Sequence, residues 1–168
     1  MTWDAATERD LEICALQLGR PMRDVLGIGA RCVCGAPTVV CTKPRLSDGT
    51  PFPTFYYLTH PAATAAISTL EANGFMAVEQ ARLAEDDDLR AAYESAHRAY
   101  IADRDVYGEV PEIDGISAGG MPVRVKCLHA LAGHSLAAGA GVNPIGDAAL
   151  EACGWSPAVC ECLPDDRG

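Results

Sequence analysis

With 23 acidic and 13 basic side chains, and so a formal charge of −10, this 168-residue chain lacks the clustered Lys and Arg that broad binding to nucleic acid or an anionic membrane requires. Its length suits one sizeable core rather than two full domains, and 49% hydrophobic residues with a mean hydropathy of +0.06 exclude a disordered chain. No apolar run approaches the roughly 20 residues of a membrane span. The start of the chain is polar and acidic, without the basic and apolar segments of a secretory signal, so we expect a cytoplasmic protein. In that reducing compartment eight cysteines point to metal binding, reactive thiols or inert buried thiols rather than to disulfides.

Between Thr7 and Gly19, Leu11, Cys14, Ala15 and Leu18 recur at helical spacing, with Glu8, Asp10 and Glu12 early, where the helix dipole favours acids. Gly19-Arg20-Pro21 ends that helix. Val25 to Ile28 leads into Arg31–Thr42, which reads as two short strands around Gly35-Ala36-Pro37 and hence a hairpin. Pro44 to Pro53 is dense in turn formers and predicts a surface loop, and Thr54–Thr59 is β-branched and aromatic enough for a third strand. Pro61 opens a helix whose stripe of Ala65, Ala66, Thr69 and Leu70 runs to Gly74. After Glu79 the pattern predicts one charged helix from about Leu83 to Tyr107 that buries Leu89, Tyr93, Ala96, Tyr100 and Ile101. Within it, Glu85-Asp-Asp-Asp88 reads as a solvated helix start and His97 as a surface residue.

The stretch Gly115 to Gly139 organises the rest. Its glycine-rich lead-in ends at Pro122, a residue favoured in the first turn, so a helix is expected from near Met121. Val125, Leu128, His129, Ala132 and Leu136 share one face, and Cys127, Leu131, His134 and Ala138 the opposite one. A helix apolar on both broad faces should be buried, and its edge of Lys126, Ala130, Gly133 and Ala137 is mostly small enough for another backbone to approach. Gly141 to Gly146 is a turn before a short helix from Asp147, read as its N-cap. The expected architecture is α+β: a small antiparallel N-terminal sheet packed against a mainly helical remainder with a buried central helix. Residues 1–152 form one domain, and 153–168 a flexible, acidic, cysteine-containing tail.

Three blocks in a fixed order resemble the bacterial domain-of-unknown-function family DUF501. They are Arg31-Cys-x-x-Gly35-x-Pro37; Asp48-Gly-Thr-Pro-Phe-Pro-Thr54 with Tyr57-Leu-Thr-His-Pro61; and Gly120-Met-Pro-x-Arg-Val-Lys-Cys-Leu-His129 with Gly141-x-Asn-Pro-x-Gly-Asp147. The likeness spans roughly Leu18 to Leu150 and leaves out the tail. It implies thiol or imidazole at the positions of Cys32, His60, Cys127, His129 and His134, with cysteine sometimes standing where this chain has His60, an exchange a metal-ligand position tolerates. Cys34 is outside that pattern. The resemblance also implies a housekeeping context beside a septum-formation initiator and an exopolyphosphatase, and hence a link to cell division.

These residues carry the leading reading, a metal site built from Cys32, His60 and Cys127 with His129 before His134. Zinc accepts such S and N donors from separate elements. In one regular helix Cys127 and His134 lie about 10 Å apart along the axis, too far for one ion, and Cys127 and His129 point oppositely unless Cys127 sits in a distorted or first turn. An iron–sulfur cluster ranks below zinc because such clusters prefer four cysteines, so Cys34 or Cys41 would have to join. The alternative is that the thiols are buried small hydrophobes and the imidazoles hydrogen-bonded core residues.

A second candidate is an anion site at Gly119 and Gly120 with Arg124 and Lys126, where a helix N-terminus would favour phosphate or carboxylate; the alternative is a glycine-rich entry to the core helix. Gly115-Ile-Ser-Ala-Gly119 spells a nucleophile elbow but follows no core strand of a large parallel sheet. Cys127 beside Lys126 and His129 could be a thiolate nucleophile. Cys153, Cys160 and Cys162 lie in the tail, a poor setting for a rigid site. The resulting expectation is a cytoplasmic metal-binding module with a binding or regulatory role and a protein partner. The alternative class is an enzyme acting on a phosphorylated or acyl substrate through the ion or the glycine-rich turn.

Overall fold

The computed structural model describes residues 3–167. In chain order it comprises α1 (Glu8–Leu18), β1 (Val25–Arg31), β2 (Pro37–Thr42), β3 (Tyr56–Leu58), α2 (Pro61–Ala72), α3 (Phe75–Glu85), α4 (Asp87–Asp105), α5 (Leu128–Ala138) and α6 (Pro144–Cys153). The strands form one antiparallel sheet in the order β1-β2-β3, with Val25 opposite Thr42 and Val39 opposite Leu58. This is the expected α+β arrangement of a small sheet with a mainly helical remainder.

The central strand β2 is buried along its whole length. Side chains alternate across a strand, so Val39 and Cys41 enter the main core that α5 completes, while Val40 joins Cys14 and Ile28 in a smaller cluster that includes α1. The α1 start is locked by a capping box in which Thr7 and Asp10 satisfy each other's backbone N–H groups. Asp10 also pairs with Arg31 at 2.7 Å, and that guanidinium holds its carboxyl down at about 2, tying α1 to the end of β1. The membrane expectation is matched to this extent: among the described residues no helix is long and apolar enough to cross a bilayer.

Three helix boundaries differ from the sequence reading, each for a local reason. The charged region is two helices, because Asp86 leaves helical geometry and its carboxylate accepts the Leu89 N–H to start α4. Asn143 caps α6 through the Gly146 N–H, while Asp147 accepts the Gly141 N–H from within the first turn. Most consequential, no helix begins at Pro122. Gly119 and Gly120 take positive φ, the Met121–Pro122 bond is cis, and the chain doubles back so that Arg124 and Lys126 donate backbone N–H groups to the Gly120 and Gly119 carbonyls. The central helix α5 starts only at Leu128.

α5 is buried as its composition demands, and its small edge is used as expected. At Gly133 a methyl group would lie 3.3 Å from the Tyr56 carbonyl oxygen of β3. On α6, a methyl at Gly146 would lie only 2.2 Å from the Leu131 carbonyl. The segment after α6, read as a flexible tail, runs back over the domain in its described part. Trp155 is buried against the His60 ring at 5.2 Å, Val33 donates its N–H to the Pro157 carbonyl, and a 3₁₀ turn at Pro164–Asp166 lies on α1.

His134 is fully buried in this core. Its ring stacks on Tyr56 at 5.3 Å and meets the edge of Tyr100 at 5.1 Å. Asn143 donates its side-chain N–H to Nδ1 at 3.2 Å, so the ring proton sits on Nε2, which has no protein partner. Burial pulls the imidazole down to about 4 from its ordinary 6.5.

Two outcomes follow from this packing. Gly146→Ala is expected to cost about 3 kcal/mol in urea unfolding, because α5 and α6 cannot separate without opening the core. For His134, the unfolded chain binds a proton below about 6.5 and the folded chain only below about 4, so stability should fall by about 3 kcal/mol as pH drops across that window. His134→Phe should flatten that part of the pH profile; an unchanged slope would show that another group sets it.

Candidate metal centre

Two groups of metal-ligating side chains form among the described residues, and neither is the set read from the sequence. The first consists of Cys32, Cys34, Cys160 and Cys162, whose sulfur atoms all lie within 4.8 Å of one another. Cys32 and Cys34 come from the turn between β1 and β2. There the Gly35 N–H donates to the Cys32 carbonyl at 2.8 Å, the Cys32 N–H donates to Ala36 at 2.8 Å, and Gly35 has φ +94°. Only glycine adopts that geometry freely, so it sets the knuckle that presents the two thiols. Cys160 and Cys162 arrive from the C-terminal segment, held beside the turn by the Val33–Pro157 bond.

Ile13 of α1 and Ala36 pack against the sulfurs, leaving Cys32 and Cys162 4% and 8% exposed. Cys34 Sγ and Cys162 Sγ are 3.5 Å apart, and none of the eight cysteines is in a disulfide. Burial, with the neighbouring thiols next in weight, pushes Cys162 up, and burial also raises Cys32. The Cys32 and Cys162 thiols, raised in this way, favour keeping their protons unless a cation replaces them. This tetra-cysteine group could hold a metal ion.

His60 stands beside the group. The Ala63 N–H approaches its Nδ1 at 3.4 Å as part of the α2 cap, which leaves the proton on Nε2. That nitrogen lies 3.1 Å from Cys162 Sγ, so the imidazole donates to the sulfur. Burial lowers its pKa and keeps it neutral.

The second group is Glu71, Cys127 and His129, also within 4.8 Å of one another. Cys127 is the N-cap of α5 with extended backbone (φ −147°, ψ 102°), and this late helix start brings its thiol to the same side as His129. Glu71 reaches across from α2, accepting the Leu128 N–H at 2.8 Å and facing His129 Nδ1 at 3.2 Å. The neighbouring imidazole lowers Cys127 and is raised by it in turn, against the opposing effect of burial on both. Beside Cys127 and His129 lies a cavity of about 300 Å³, mostly apolar, with Tyr56, Tyr57, Leu58 and Thr64 in its wall.

The expected single centre is therefore divided. Cys32 and His60 lie at the tetra-cysteine group, Cys127 and His129 meet Glu71 at α2, and His134 belongs to the aromatic core. The physical reason is topological: Cys32 faces α1, whereas Cys127 caps α5 on the side covered by α2. Gly119, Gly120, Arg124 and Lys126 form the doubled-back turn instead of a helix N-terminus, which removes the dipole argument for an anion there. Ser117 is buried with its hydroxyl 2.7 Å from His97 Nδ1, and His97 is correspondingly half-buried rather than a plain surface residue.

Cys34, Cys160 and Cys162 in the first group and Glu71 in the second are the donors that sequence reasoning passed over. A signal was present, since Cys32-Val-Cys34 and Cys160-Glu-Cys162 are two copies of one spacing at opposite ends of the chain. No curated protein and no solved structure matches this chain. A family profile described as a protein of unknown function, DUF501, matches residues 28–151. That match includes Cys32, His60 and the whole Glu71–Cys127–His129 group and stops short of Cys160 and Cys162, and over this span the chain belongs to the DUF501 family.

Proposed function

We propose that this protein is a zinc-clasped binding or regulatory module in which Cys32, Cys34, Cys160 and Cys162 hold one ion as thiolates. The carrying observation is that four sulfurs from the two ends of the chain stand within 4.8 Å of one another. Tetrahedral zinc with four thiolates at about 2.3 Å demands a comparably tight set and is the usual closed, structural type of site. An iron–sulfur cluster shares its four cysteines among two or four irons and so spreads the sulfurs more widely than one ion does, and the compact set argues for a single ion. His60 supports this reading as an outer partner, its N–H offsetting the negative charge that four thiolates leave on a divalent ion.

The clasp would fasten the C-terminal segment across α1 and the β1–β2 turn. An ion enclosed by four protein ligands has no open position for a substrate, which favours a structural role at this site over catalysis. A cytoplasmic location remains part of the proposal, and a housekeeping role near cell division rests on the family resemblance alone.

Protein purified without an affinity tag should contain one zinc ion attributable to these cysteines. Cys162→Ser should abolish that equivalent and lower the midpoint of thermal unfolding by about 10 °C, the counterpart of roughly 4 kcal/mol in a chain of this size. Metal content and melting temperature both unchanged in Cys162→Ser would refute the clasp. His60→Phe should keep the stoichiometry but weaken zinc retention against a chelator by about tenfold, as loss of an outer hydrogen bond does; complete loss of zinc would instead make His60 a ligand.

A further inference from the structure

The contacts around His129 call for a positive charge. Its Nε2 lies 3.2 Å from the Thr64 carbonyl oxygen, which can only accept, so that nitrogen carries a proton. The Ser68 hydroxyl, 3.1 Å from the same nitrogen, can turn to accept as well. In the neutral ring Nδ1 then presents a lone pair to Glu71 Oε1 at 3.2 Å. Two lone pairs facing each other at that distance repel unless a positive charge lies between them.

A second ring proton would supply that charge for Glu71. Cys127 adds another donor that becomes anionic when it binds a cation, and its sulfur completes a triangle with the other two ligand atoms, all within 4.8 Å. A divalent ion can serve carboxylate, thiolate and imidazole together, whereas one proton serves a single hydrogen bond. The outer arrangement fits as well. A histidine bound to a metal through one nitrogen commonly donates its other N–H to a backbone carbonyl, as His129 does to Thr64.

We propose that Glu71, Cys127 and His129 form a second metal site, of the zinc class, with one coordination position open to the neighbouring cavity. Three protein ligands of mixed O, S and N type are the composition in which zinc keeps a fourth position for water or substrate. The cavity of about 300 Å³ sits at the small end of ligand pockets. Its mostly apolar wall selects a small molecule with an apolar body and one carboxylate or carbonyl oxygen to take the open position. Such a site polarises a bound carbonyl or activates a bound water. The inference uses none of the four clasp cysteines and stands if the clasp fails.

Cobalt(II) reports the two sites separately. Stripped full-length protein titrated with Co²⁺ under argon should bind two equivalents, one with the intense charge-transfer absorption of four thiolates and one with weaker absorption from a single thiolate. His129→Ala and Glu71→Gln should each remove the second signal and leave the first. The double variant Cys32→Ser/Cys34→Ser should remove the first and leave the second. Azide should perturb only the visible bands of the second site, as an open position requires. A wild-type protein that binds only the tetrathiolate equivalent would overturn the proposal, and so would a second equivalent that survives both His129→Ala and Glu71→Gln. Bands of the second site that do not respond to azide would overturn the open position.

Discussion

The close packing of α5 against α6 on one side and β3 on the other is the constraint from which the rest of this structure follows. At Gly146 and Gly133 the neighbouring backbone comes so near that no side chain would pass without displacement or tight contact. Helices this close cannot slide, because their ridges and carbonyls interlock. The position of α5 in turn decides where Cys127 emerges, where His134 is buried and which side of the sheet remains for α1.

The two donor groups owe their separation to this arrangement. β2 is covered on both faces, so a thiol at the end of β1 and a thiol at the start of α5 are presented in different directions. The tetra-cysteine group gathers where α1, the β1–β2 turn and the C-terminal segment meet. The Glu71–Cys127–His129 group gathers where α2 crosses the N-terminus of α5. His60 links the two halves chemically: it caps α2 with one nitrogen and donates to Cys162 with the other.

Charge strengthens the contrast between the groups. The first pairs two buried thiols, Cys32 and Cys162, which desolvation pushes up, with two partly exposed ones, Cys34 and Cys160, a set that a cation would draw together as thiolates. The second already favours charge separation, since the imidazole and thiol stabilise each other's ionised forms. A set of four thiols that encloses its ion suits a role in holding structure together. A half-exposed set beside a cavity suits an ion that meets a ligand.

Much of the fold was legible from pattern. The helix between Thr7 and Gly19, the hairpin about Gly35, the opening of α2 at Pro61 and the apolar run of α5 are local properties, written by periodicity and turn chemistry within a few residues. The buried central helix and the small edge at Gly133 were equally readable, because side-chain size acts at short range. The helix start was not: Pro122 suits a first turn, yet Gly119 and Gly120 permit a doubled-back path that only the surrounding packing selects. Spacing alone therefore put Cys127 opposite His129, whereas an N-cap at Cys127 puts them together. Nor could any local pattern join Cys32 and Cys34 to Cys160 and Cys162. Donor types are a property of the sequence, but their convergence depends on contacts between residues far apart in the chain, and those exist only once the core has closed.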